Sequence, residues 1–255
     1  MPLAALRATI ALALLAGLAM PASAQTLKVL TAGAFKQVVL AFVPAFEAKS
    51  GIKVEVENDT AGALLKRVQA GEAFDVLIIP PAGLATLGQE GKVDAASAAP
   101  VARVAIGVAV AKGAPRPPLE TVDQFKEAVL KARKVAYIDP ASGGSSGIYL
   151  DSLFQRLGIA EQVKAKAVLV PGGLVAERIA KGEADLAIHQ VSEILPVAGV
   201  ELAGLLPESI QQYTTYGAAV SATAKQKEHA RAFVATLMAP EAAEVVRAKG
   251  MLPAR

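Results

Sequence analysis

The 255-residue chain is 53% hydrophobic and 19% charged, with a formal net charge of +3 and no cysteine or tryptophan. That is enough apolar material for one or two cored domains, and it excludes disulfides, thiolate nucleophiles and zinc–thiolate sites. Two histidines, His189 and His229, exclude a multi-histidine metal centre, and no Asp-rich calcium loop is present. No Lys/Arg block interleaved with aromatics stands out, which argues against nucleic acid. The low aromatic content argues against a ring-lined sugar groove.

The N-terminus reads MPLAALRATIALALLAGLAMPASAQTL. One positive charge (Arg7), an apolar run from Ala8 to Met20 and the small residues Ala22-Ser23-Ala24 predict a secretory signal over 1–24. The run is short of the roughly 20 residues that a membrane span needs. The mature chain is therefore expected to begin at Gln25 in the periplasm.

From there strands and helices alternate. LKVLTAG (27–33) predicts a strand and 34–49 a helix; KVEVEND (53–59) a strand and 61–70 a helix; FDVLIIP (74–80) a buried strand and 81–90 a short helix. RVAIGVAVAK (103–112) reads as one long strand, followed by a helix over 121–133 capped by Thr121. Strand 134–138, helix 145–157, strand 164–170, helix 173–181 and strand 185–191 continue the pattern. A strand near 200–206 and a long one over 211–221 precede helices at 225–238 and 240–249. Gly51, Gly71, Gly91, Gly158, Gly182 and Gly250 fall where left-handed helix caps are expected.

This pattern predicts an α/β fold with mostly parallel sheets flanked by helices. The two long strands bracket a complete α/β block, which suggests two lobes joined by a two-strand hinge. The expected division is 25–104 plus 218–255 for the first lobe and 105–217 for the second. A single doubly wound domain is the alternative.

In such sheets ligands collect beyond the carboxyl ends of the strands. Four loops there are rich in small and hydroxyl residues: TAGAFK (31–36), NDTAGAL (58–64), DPASGGSSG (139–147) and VPGGL (170–174). Each is expected to precede a helix, whose first N–H groups lack internal partners and carry partial positive charge. Converging helix starts make an anion site. The candidate ligand-binding residues are Gly33, Ala34 and Phe35; Thr60 and Ala61; Ser142, Gly144, Ser145 and Ser146; Gly173; and His189 and Gln190. Pure helix capping is the alternative for Thr60 and Ser145. His189 is either a cleft residue or a satisfied core histidine, Lys36 either balances solute charge or is solvated, and Glu193 either orients a ligand contact or faces solvent. His229 reads as a helix-surface residue.

The stretches AGAFKQVVLAFVPAFEAKSGIKVEV, GALLKRVQAGEAFDVLIIP, KGEADLAIHQVSEI and APEAAEVVRAKG resemble the periplasmic molybdate-binding proteins of ABC importers, over essentially the whole mature chain. The resemblance implies the two-lobed class II solute-binding fold, closure on a small anion and delivery to an inner-membrane permease, by a monomer without cofactor. In that family two serines and a tyrosine donate hydroxyls to the oxyanion. The matching positions are Ala34, Ala61 and Gln190 here, and the second lobe supplies SGGSSG, His189, Gln190 and Ser192, a set suited to a larger carboxylate. The chain also resembles aconitate isomerase, an exported enzyme on the same scaffold. That alternative makes His189 the base and the serine loop a carboxylate clamp. No G-x-S-x-G elbow or phosphate loop supports a hydrolase or a nucleotide-binding protein.

Overall fold

The computed structural model describes residues 26–254; the signal expected over 1–24 lies outside them. In chain order the first elements are β1 (Thr26–Ala32), α1 (Gly33–Ser50), β2 (Lys53–Asp59), α2 (Ala61–Gln69), β3 (Val76–Ile79), α3 (Pro81–Gln89) and β4 (Ala99–Val104). A second block follows: β5 (Ile106–Ala111), α4 (Val122–Lys131), β6 (Val135–Ile138), α5 (Ser145–Arg156), α6 (Ala160–Lys164), β7 (Ala167–Val170), α7 (Glu177–Ala180), β8 (Leu186–Gln190), α8 (Val191–Ile194) and β9 (Val200–Leu205). The chain closes with β10 (Thr214–Val220), α9 (Lys227–Met238), α10 (Ala242–Ala248) and β11 (Leu252–Pro253).

These strands form two sheets, ordered β11-β4-β10-β3-β1-β2 and β7-β6-β8-β5-β9. Each has a parallel centre, β2-β1-β3 in one and β7-β6-β8 in the other. Each also has an antiparallel flank, made by β10, β4 and β11 or by β5 and β9. The sheets are thus mixed rather than mostly parallel. Two of the flanking strands, β5 and β10, arrive by crossing from the other sheet rather than through a covering helix, so the right-handed βαβ connection that enforces parallel pairing is absent there.

Burial explains the central strands. Every side chain of β3 (VLII) and β6 (VAYI) is buried, as expected for strands covered on both faces. Phe46 of α1 packs edge-on against Phe233 of α9 at 5.0 Å, which fixes the C-terminal helices onto the first sheet. Tyr137 and Phe154 make the equivalent edge-on contact, at 5.5 Å, in the second lobe. Thr121 caps α4 in a full capping box with Gln124, as its sequence position predicts. All six glycines expected as helix caps have positive φ.

The expected long strand 103–112 is broken at Ala105: its start is β4 in the first sheet and its remainder is β5 in the second. The expected strand 211–221 begins only at Thr214, and all of it lies in the first sheet, so a boundary at 218 would fall inside β10. The chain therefore passes between sheets across Ala105 and again between Leu205 and Thr214. Gln211 ties these two crossings together. Its Oε1 accepts from the Ile106 N–H and its Nε2 donates to the Ile106 carbonyl, both at 2.9 Å. Periodicity did not reveal β4 before residue 103, α6, α8 or β11, and the expected helix 173–181 is only the single turn of α7.

Gln211→Leu leaves the Ile106 N–H and carbonyl without that partner. It should lower the unfolding free energy by about 1–3 kcal/mol, read as a drop in the urea midpoint at unchanged slope.

Candidate functional site

The carboxyl ends of β1, β2, β6 and β8 meet where the two lobes face each other, around a cavity of about 30 Å³. That is room for little more than water. Gly33 and Ala34 reach it from the start of α1, Thr60 and Ala61 from α2, and Gly144, Ser145 and Ser146 from α5. Gly173 comes from the loop after β7, and His189 and Gln190 from the end of β8. Two expected site residues do not line it. Phe35 is fully buried in the first-lobe core, with its ring 6.5 Å from that of Tyr216, because the next position along α1 turns inward. The Ser142 hydroxyl donates to the Asp139 carbonyl at 2.7 Å and is spent on its own turn.

The glycine–serine loop after β6 is shaped by three close approaches. Gly143 sits at φ 78°, and a Cβ there would come within 2.7 Å of the Gly62 Cα in the opposite lobe. The Gly62 N–H donates to the Gly143 carbonyl at 3.0 Å, and the Thr60 hydroxyl donates to the Ser142 carbonyl. A Cβ at Gly147 would lie 2.3 Å from the Ile138 carbonyl, so α5 starts directly against the end of β6. The glycines are packing requirements that bring two helix starts, α2 and α5, to opposite sides of one gap. The fourth expected helix start, after VPGGL, contributes only a loop, since α7 begins at Glu177 and spans four residues.

The floor of the cavity is an acid–base pair. His189 and Glu193 are both buried, with Nε2 and Oε2 3.2 Å apart. Burial pushes the Glu193 carboxyl up to about 8 and holds the His189 imidazole down to about 3, because neither charged form is solvated there. At neutral pH the contact is a hydrogen bond inside a neutral pair rather than a salt bridge. His189 Nδ1 is buried with no partner, as are Gln190 Nε2 and Ser192 Oγ. The other Glu193 oxygen lies over Gly33, where any Cβ would stand 2.5 Å from it. Tyr216 of β10 adds a buried hydroxyl that donates to Gln190 Oε1 at 2.9 Å. Burial drives its ionisation far upward, so it stays a donor.

No Lys or Arg lines the cavity; its ionisable side chains are Asp59, His189, Glu193 and Tyr216. Lys36 is not among the lining residues. The site offers helix starts, neutral donors and a proton-carrying pair. No group of three metal-ligating side chains occurs among the described residues. Sequence reasoning missed Asn58, Asp59 and Tyr216 and left Glu193 undecided.

A family model for bacterial extracellular solute-binding proteins matches residues 27–252, and the chain belongs to that family. It is 33% identical to aconitate isomerase from Pseudomonas sp over 234 residues, 89% of this chain and 88% of that protein. Among solved structures, the periplasmic molybdate-binding protein of Azotobacter vinelandii superposes with a TM-score of 0.75 at 20% identity, covering 89% of this chain and 98% of that one. The sulfate-binding protein SubI of Mycobacterium tuberculosis H37Rv superposes with a TM-score of 0.72 at 17% identity, over 90% and 87% respectively. The fold is that of the two-lobed class II periplasmic binding proteins.

The pair sets a pH signature. Glu193 keeps its proton in the folded protein from about 4.5 to about 8, so stability falls as pH rises through that window. His189 refuses its proton from about 6.5 down to about 3, so stability rises with pH there. The two slopes cancel between 4.5 and 6.5, leaving a net loss from 6.5 to 8. Urea midpoints for Glu193→Gln should lack that loss while keeping the acid limb.

Proposed function

We propose that the protein closes on a small organic acid with several carboxylates and shifts a double bond within it, as an aconitate isomerase does. The observation that carries this reading is the buried, neutral His189–Glu193 pair on the cavity wall. Capture of an anion needs donors; it does not need a base and an acid held uncharged side by side. The 33% identity to aconitate isomerase supports the same reading.

The chemistry is a balanced proton shift. A base takes a proton from the methylene carbon beside a carboxylate. The C–H pair moves into the chain and displaces the C=C bond by one position, and the far alkene carbon receives a proton. Substrate and product are isomers, so no oxidant or reductant enters. With its ring proton on Nε2, donated to Glu193, His189 presents the Nδ1 lone pair as the base. The carbonyl oxygen of the protonated Glu193 accepts the Nε2 hydrogen bond and holds that tautomer; the proton taken at Nδ1 makes the ring an imidazolium, which returns that proton to the far alkene carbon. The starts of α1, α2 and α5 stabilise the carboxylate on which negative charge accumulates. Thr60, Ala61, Ser145 and Ser146 are the clamp residues. The chain works in the periplasm, delivered there by the segment ahead of Gln25.

A second reading is capture of an anion for an ABC permease in the inner membrane. The specific observation in its favour is the cation-free ring of helix starts, which suffices for binding and release without chemistry.

Incubation with trans-aconitate, followed by chromatography, separates the two. The isomerase reading expects cis-aconitate to form, His189→Ala to lose at least 100-fold in kcat, and Glu193→Gln to lose less. Tight binding of trans-aconitate without conversion leaves capture as the function.

A further inference from the structure

Gln190 and Tyr216 meet across the gap between lobes, one at the end of β8 and the other in the middle of β10. Both are almost fully buried, and both line the cavity. The Tyr216 hydroxyl donates to Gln190 Oε1 at 2.9 Å, while Gln190 Nε2 is buried with no partner. Ser145, at the start of α5, lines the same cavity.

These contacts decide which way the amide faces. The phenol donates its proton, and of the two ends of the amide only the carbonyl can accept it. With that end occupied, the two amide protons are the only hydrogen-bonding groups Gln190 has left. An amide with unmade donors in a buried polar cavity costs about 1–3 kcal/mol unless something accepts from it.

We infer that Tyr216 is a positioning residue, which on lobe closure turns the Gln190 amide so that its N–H groups face the ligand and donate to an acceptor oxygen there. Because Tyr216 and Gln190 sit on different lobes, the amide is set only in the closed state. A half-closed cleft presents a freely rotating amide that donates or accepts equally well, and discrimination arises on closure. The inference rests on anion binding between the lobes and not on isomerisation.

A double-mutant cycle tests it. Dissociation constants for trans-aconitate, its saturated analogue tricarballylate, molybdate and sulfate are measured by calorimetry. Tyr216→Phe should weaken the best-binding anion about 10-fold in the wild-type background and less than 2-fold in the Gln190→Leu background, where there is no amide to orient. Gln190→Leu alone should cost at least as much as Tyr216→Phe, and an unchanged constant for it would overturn the inference if Tyr216→Phe does not fold. Equal weakening in both backgrounds would mean that Tyr216 touches the ligand directly and would overturn the inference. So would an unchanged constant for Tyr216→Phe, or failure of all four anions to bind the parent protein. Binding of tricarballylate with the expected cycle, but no conversion of trans-aconitate, sinks the isomerase reading and leaves this one standing.

Discussion

For the anion handling proposed above, the governing constraint is the burial of negative charge in a gap lined by no Lys or Arg. In a solvent-excluded gap an uncompensated carboxylate is strongly disfavoured. The surfaces that compensate it are the starts of α1, α2 and α5, whose N–H groups and partial charges converge on one point. That convergence requires each helix to begin directly at a strand end with little loop between. Small residues are therefore compulsory at the junctions, and Gly147 against the Ile138 carbonyl is the clearest example. The absence of Lys and Arg from the cavity wall follows the same logic. A permanent cation would hold an anion tightly, whereas oriented amides are weakened as soon as the lobes part.

The two crossings between sheets serve that opening. Ala105 and the segment from Leu206 to Tyr213 are the places where the chain belongs to neither sheet. Gln211 fastens them side by side through both polar groups of Ile106, so the two sheets are joined by a tied pair of segments rather than two independent ones. On the far side of the cavity the lobes touch through backbone, Gly62 to Gly143, where a methyl group on either residue would stop closure short. Opening breaks few bonds. The Gly62–Gly143, Thr60–Ser142 and Tyr216–Gln190 contacts are single hydrogen bonds, each weak enough to be exchanged for water.

Much of this was legible in the sequence, for physical reasons. Alternation of apolar strands with amphipathic helices identified the α/β class, and loops of small residues after β1, β2 and β6 located the gap. What the sequence did not reveal depends on tertiary context. RVAIGVAVAK is continuous in hydrophobicity, so nothing marks Ala105 as the point where it leaves one sheet for another. Phe35 follows two cavity residues yet turns into the core, because successive helix positions are about 100° apart and the loop motif does not encode that turn. Tyr216 lies in an ordinary alternating strand, and only the crossing of the chain back into the first sheet brings it opposite Gln190. The neutral state of Glu193 is a property of burial, which a residue letter does not carry.

That neutral state bears most directly on what the protein does. A binding protein gains nothing from placing a carboxyl beside an anion: ionised, it repels the guest, and protonated, it makes affinity fall as the pH rises. Here Gly33 leaves space for one Glu193 oxygen, while the other is 3.2 Å from the imidazole. The pair holds an exchangeable proton at a wall that otherwise offers only donors. Its two tautomeric arrangements differ in which atom carries that proton, and one of them leaves Nδ1 with a free lone pair. For the proposed double-bond shift, a proton stored at the wall of so small a cavity would be the group the reaction needs.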